Sequence, residues 1–202
     1  GMNLDQIIAR IKVCHDQGKR VVRLHTGDPS LYGAIFEQIR ELQKLGIPYE
    51  VFPGVTAAFA AAASMGMEYT LPEVTQTLIL TRIAGRTPVP ESEDLEKLAA
   101  HGSSMAIYLS LGHAQKVQKI LETHYGKESL CAIAYKVSHP EEQIFYTQIQ
   151  DLVKSCKENK ITRHALIIVG KAVEASRGNK DLIQSKLYDA GFSHGYRTAS
   201  PK

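Results

Sequence analysis

Twice near its start the chain runs from an apolar stretch of strand length, through a turn holding glycine and proline, into helical spacing. Val21, Val22 and Leu24 read as a short buried strand that enters Thr26-Gly27-Asp28-Pro29, after which Ile35, Ile39 and Leu42 recur at helical intervals up to Gly46. Tyr49 to Phe52 reads as a second strand, breaking at Pro53-Gly54 before a small-residue run from Ala57 to Ser64 whose alanines favour helix. A strand–helix–strand unit of this kind belongs to an α/β lobe, and open α/β sheets hold ligands beyond the carboxyl ends of their strands. Leu4, Ile7, Ile8 and Ile11 place one more helix ahead of the unit, ending at Gly18.

Beyond Pro72 the pattern changes, and a lobe boundary is expected near Glu73. Residues 1–73 then form the α/β lobe, 74–175 an α+β lobe, and 176–202 a polar, turn-rich tail that is expected to be poorly ordered unless it docks. In the second lobe the spacing predicts strands over Thr75 to Ile83, Met105 to Leu109, Leu130 to Tyr135, Gln143 to Ile149 and Ala165 to Val169. Helices are predicted at Val117 to Leu121 and around Leu152 and Val153, with a hairpin at His139-Pro140. The chain has 202 residues, enough for two compact lobes, and a cleft between them is the default ligand site.

Twenty-four Lys and Arg against 21 Asp and Glu leave +3, too little for a nucleic-acid footprint, so no nucleic-acid partner is expected. No apolar run reaches the roughly 18 residues a membrane span needs, and the start Gly1-Met2-Asn3-Leu4-Asp5 lacks the regions of a signal peptide, which predicts a cytoplasmic protein without a membrane partner. Cys14, Cys131 and Cys156 are odd in number and far apart, and the histidines show no H-x-x-x-H or H-E-x-x-H spacing, so neither disulfides nor a metal site is expected. Walker A and G-x-G-x-x-G sequences are absent.

Three segments can carry chemistry. In His25 to Gly33, Gly27 lets backbone approach a ligand and Asp28 offers acceptors to ribose hydroxyls or an ammonium group; the same turn also reads as an ordinary connection in which Asp28 caps the next helix. In Pro53 to Ala57, amides at a helix start and the Thr56 hydroxyl suit a carboxylate or a base edge, or Thr56 is simply an N-cap. In Arg82 to Glu91, two guanidinium groups on a proline-stiffened loop suit carboxylates or phosphates, with Lys136 and Arg163 near strand ends adding positive charge, or the loop is a solvated face. His25 is a candidate acid or base by position only.

Read together, these segments resemble the tetrapyrrole methylases that use S-adenosylmethionine (SAM). Val22-Arg23-Leu24-His25-Thr26-Gly27-Asp28-Pro29 through Tyr32-Gly33, and Pro53-Gly54-Val55-Thr56, resemble two of that family's SAM loops. Thr75-Gln76-Thr77 to Thr81-Arg82 with Gly85-Arg86-Thr87-Pro88-Val89-Pro90-Glu91, Tyr135-Lys136 with Pro140-Glu141-Glu142, and Ser185-Lys186-Leu187-Tyr188-Asp189 with Phe192-Ser193-His194-Gly195 resemble the members that methylate C-11 of precorrin-4. The family's opening strand and G-x-G-P-G loop have no counterpart here, so the N-terminal lobe is expected to be incomplete, and restoring that segment is expected to restore SAM affinity; equal binding by both forms in calorimetry would refute this.

The resemblance implies a two-lobed α/β fold of class III methyltransferases, and methylation of C-11 of precorrin-4 or cobalt-precorrin-4 in cobalamin biosynthesis, with SAM as donor and S-adenosylhomocysteine (SAH) as product. It implies a SAM pocket of Thr26, Gly27, Asp28, Leu31, Thr56 and Ala57, joined by Leu109, Tyr135, Val137 and Ala165 from the second lobe. It also implies a homodimer and a tetrapyrrole substrate rich in carboxylates, for which Arg82, Arg86 and Lys136 are the expected clamps. No catalytic residue is fixed, although His25 or Glu73 can assist proton removal. The alternatives are a methylase acting elsewhere on the ring or on another target such as diphthine, a truncated non-catalytic tetrapyrrole-binding protein, or a plain nucleotide-binding module.

Overall fold

The computed structural model describes residues 1–178 and 185–199. They divide into two compact units, 1–57 and 58–202.

The first unit holds α1 (Leu4–Asp16) and α2 (Phe36–Lys44), packed on each other. A capping box starts α1: the Asn3 side chain accepts from the Gln6 amide at 2.9 Å and the Gln6 side chain accepts from the Asn3 amide at 3.0 Å. The expected strands Val21 to Leu24 and Tyr49 to Phe52 are a correction, because neither is paired with another strand. A strand is defined by the ladder it shares with a neighbour, and none lies beside either segment within this unit. Val22 and Leu24 are accordingly 72% and 79% exposed rather than buried. Both segments line a cavity of about 760 Å³, together with Ile11 of α1 and Ile39 and Leu42 of α2.

The second unit is built on a five-stranded mixed sheet: β1 (Leu78–Arg82), β2 (Ser104–Tyr108), β3 (Leu130–Tyr135), β4 (Gln143–Gln148) and β5 (Ala165–Val169), in the order β1-β2-β5-β3-β4. β1 and β2 are parallel, and β5 runs antiparallel to both β2 and β3. β3 and β4 form the expected hairpin, with Tyr135 opposite Gln143. Alternation along the strands sends Met105, Ile107, Cys131, Ile133, Ile167 and Val169 to one face, where they join the main core with Leu95 of α4 (Leu95–Ala99), Val117 and Leu121 of α5 (Ala114–Tyr125) and Leu152 of α6 (Leu152–Glu158). Full burial of each large aliphatic chain is worth about 1.5–3 kcal/mol. Small residues, Ala106, Ala132 and Ala134, alternate with them, and α7 (Lys171–Ala175) packs on β3 and β5.

The alanine-rich helix α3 (Ala57–Met65) goes with the sheet, so the division falls after Ala57, ahead of the Glu73 joint expected from composition. Its Ala58, Ala61, Ala62 and Met65 are buried. The Tyr108 hydroxyl accepts from the Ala58 amide at 2.9 Å and the Tyr69 hydroxyl donates to the Ala58 carbonyl at 2.8 Å. Ser104 in turn donates to the Tyr69 carbonyl at 2.8 Å. Within the tail, residues 185–199 form a short 3-10 turn capped by Ser185 and a bridge between His194 and Arg197; residues 179–184 and 200–202 of that expected loose segment lie outside the described residues. Among the described residues no helix is long and apolar enough to cross a membrane.

Candidate functional site

In the first unit, Asp28 joins the two Gly/Pro turns. One carboxylate oxygen accepts from the Ser30 amide at 2.8 Å and the other from the Gly54 amide at 2.9 Å. Those bonds, the Gly54 one foremost, hold the Asp28 carboxyl below its ordinary value of 3.8. The alternative in which Asp28 caps the next helix fails, since α2 begins at Phe36 behind Ile35. Gly27 sits at φ +66°, and a Cβ on Gly54 would stand 2.1 Å from the Gly27 carbonyl oxygen, so the turns touch backbone to backbone. Thr56 is buried immediately before α3, with Ala57 half-buried beside it, while Thr26 and Gly27 are exposed and Leu31 half-buried. Thr26, Gly27, Asp28, Leu31, Thr56 and Ala57 thus lie on two stitched turns of one unit, with bare glycine backbone of the kind that admits a nucleoside-bearing ligand.

In the second unit, strand directions place the carboxyl ends of β1, β2 and β3 and the amino ends of β4 and β5 along one rim. Arg82, Leu109, Tyr135, Lys136, Val137 and Ala165 all fall on it. Leu109, Lys136 and His164 there have φ of 52°, 46° and 58°, a left-handed conformation that costs a non-glycine residue about 1–2 kcal/mol. Such outliers persist where surrounding structure fixes them, and they concentrate at ligand sites. The Lys136 amide donates to the His164 carbonyl at 2.9 Å, tying two of the three together. Leu109 is 73% exposed. The Lys136 ammonium meets Glu141 at 3.1 Å and lies 5.5 Å from the Tyr135 ring centre. That carboxylate raises the Lys136 pKa above its usual value, and Lys136 lowers that of Glu141. The Glu142 carboxyl is also lowered, by hydrogen bonds from the Ser64 hydroxyl and the Ser138 amide.

The two arginines of the third segment differ sharply. The Arg82 fork is turned onto its own loop, donating to the carbonyls of Ile83 at 3.4 Å, Thr87 at 3.1 Å and Pro88 at 2.7 Å. A direct carboxylate clamp at Arg82, as expected beside Arg86, would first have to exchange those carbonyls for ligand oxygens. Arg86 is exposed at the loop's apex. The buried Ser110 hydroxyl accepts from the Ile83 amide at 2.9 Å, and His113 Nε2 lies 3.2 Å from where a Cβ of Gly85 would be. Ser110 and His113 carried no warning in the sequence beyond following a strand end. His25 belongs to the first unit and Glu73 to the second.

Residues 1–153 match the family described as Tetrapyrrole (Corrin/Porphyrin) Methylases. The chain belongs to that family. This methylase is 48% identical over 202 residues to the cobalt-precorrin-4 C(11)-methyltransferase of Methanocaldococcus jannaschii, a match that covers 100% of this chain and 76% of that one. It is 45% identical over 196 residues to the precorrin-4 C(11)-methyltransferase of Pseudomonas aeruginosa, covering 97% and 77%. The X-ray structure of a cobalt precorrin-4 methyltransferase of cobalamin biosynthesis matches with a TM-score of 0.83 at 42% identity, over 86% of this chain and 73% of that one. The α/β tetrapyrrole methylase fold that the resemblance implied is therefore the methylase's fold.

Proposed function

We propose that this tetrapyrrole methylase transfers the methyl group of SAM to C-11 of precorrin-4 or its cobalt complex, in cobalamin biosynthesis. The observation that carries the reading is the 48% identity to a C(11)-methyltransferase over the whole chain. SAM supplies a methyl group already activated by its sulfonium, so the bond to sulfur breaks as the bond to the macrocycle carbon forms, leaving SAH. The chain's part is to bind and align. Thr26, Gly27, Asp28, Leu31, Thr56 and Ala57 hold the donor on the stitched turns, and Leu109, Tyr135, Val137 and Ala165 serve it from the rim. Arg86 and Lys136 take substrate carboxylates, Lys136 by exchanging Glu141 for a ligand oxygen. Holding two reactants in line supplies up to about 7–11 kcal/mol of a barrier without a strong base.

The enzyme works in the cytoplasm as a homodimer, which light scattering tests as twice the 22.3 kDa chain mass. The deciding experiment incubates the chain with SAM labelled on its methyl group and with precorrin-4, metal-free and cobalt-bound in separate arms. The expected product is one methyl group heavier, labelled at C-11, with stoichiometric SAH. Label that appears at another ring carbon would overturn the assignment.

A further inference from the structure

We infer that Arg82 is a positioning residue: its guanidinium fork locks the loop 83–90 so that Arg86 meets a carboxylate of the tetrapyrrole, an inference that rests on the function proposed above. The loop leaves β1 at the rim where Leu109, Lys136 and His164 adopt left-handed backbone. It is fixed at its base by Ser110, at its turn by the Gly85 amide donating to the Thr87 carbonyl at 3.2 Å, and across its mouth by Arg82. His113 stands beside Gly85, its Nε2 3.2 Å from where a Cβ would be. A loop carrying Pro88 and Pro90 and closed by three charge-assisted bonds has little freedom left, and freedom removed before binding need not be removed during it. Arg86 alone on that loop keeps an exposed guanidinium.

Lysine cannot replace a planar fork, since a single ammonium cannot reach three carbonyls on one plane with the same geometry. The charge and the geometry are thereby separable. The test uses the full chain with Arg82→Lys, Arg82→Gln, Arg86→Gln and the double variant Arg82→Lys/Arg86→Gln. Two measurements are made: hydrogen exchange at the Gly85 amide, and binding of the octacarboxylic porphyrin uroporphyrin III followed by its fluorescence.

In Arg82→Lys, Gly85 exchange should rise about tenfold or more, as expected for losing bonds to a charged donor. Porphyrin binding should weaken about tenfold in Arg86→Gln and severalfold in Arg82→Lys, whereas Arg82→Lys should cost nothing further once Arg86 is gone. A merely structural role would weaken binding in both backgrounds alike. Unchanged Gly85 exchange in Arg82→Lys, full rescue of binding by lysine, or equal losses in the two backgrounds would each overturn the inference while wild-type binding stands. Failure of the wild-type chain to bind the porphyrin, with Gly85 exchange still responding to Arg82→Lys, would instead overturn the tetrapyrrole reading and the ligand of Arg86 with it.

Discussion

Replacing Ser110 by alanine isolates one hydrogen bond at the foot of the Arg86 loop. Ser110 is 1% exposed and the Ile83 residue whose amide it accepts is 3% exposed, so no water can step in when the hydroxyl goes. An orphaned buried amide costs about 1–3 kcal/mol. The Tyr108 carbonyl, which receives the hydroxyl proton, loses a partner as well. For a domain of this size 1 kcal/mol moves the melting midpoint by about 2–4 °C, so Ser110→Ala should melt roughly 2–12 °C lower. Calorimetry gives the midpoint, and hydrogen exchange at Ile83 shows where the loss occurs. A drop in midpoint without faster Ile83 exchange, or a midpoint within a degree of wild type, would refute the claim that this hydroxyl seats the loop.

Asp28→Asn is nearly isosteric, yet either orientation of the amide turns an NH2 toward one of the two backbone N–H donors, Ser30 or Gly54; weaker SAH binding in calorimetry is expected, and unchanged affinity would count against the staple. Gly54→Ala must part the two turns by about 1 Å to clear the Gly27 oxygen, and methyl transfer should fall about 100-fold; a variant as fast as wild type would show that the turns can yield. Acid should loosen the hairpin turn over 136–142. The Glu141 and Glu142 carboxyls both lie below their ordinary 4.5, so their stabilising contribution is complete above about 4.5 and is lost as pH falls through the lower folded values. Carboxyl NMR titrations should show midpoints below 4.5 for both, and a midpoint above it for either would contradict the pairing.

Local patterns were enough for elements that carry their own evidence. β3 and β5 are apolar runs bounded by turn residues, and α1 and α5 show apolar spacing at three and four residues. Val21 to Leu24 has an equally strong apolar run but no ladder, because pairing depends on a neighbour that composition cannot name. α4 and α7 are five residues each, too short for a period to register. The small-residue stretch was legible as the helix α3, but its allegiance to the second unit rests on Tyr69 and on Tyr108, the latter 50 positions from Ala58. At the site, the two Gly/Pro turns were visible as ligand-binding candidates, whereas the bond from Gly54 to Asp28 spans 26 positions. Arg82 and Arg86 read alike as letters; only the path of the loop decides which guanidinium meets carbonyls and which faces out.

Under the function proposed above, the left-handed residues Leu109, Lys136 and His164 set selection for robustness against selection for ligand grip along one line of the molecule. Glycine at any of the three would relax a conformation that side chains resist, and a screen for heat tolerance alone would tend to find those substitutions first. The same changes would strip the rim of an exposed leucine, an ammonium group and an imidazole. Thermal hardening of this fold is therefore safer in the aliphatic layer under the helices than along the strand tips, where durability would come at the expense of chemistry.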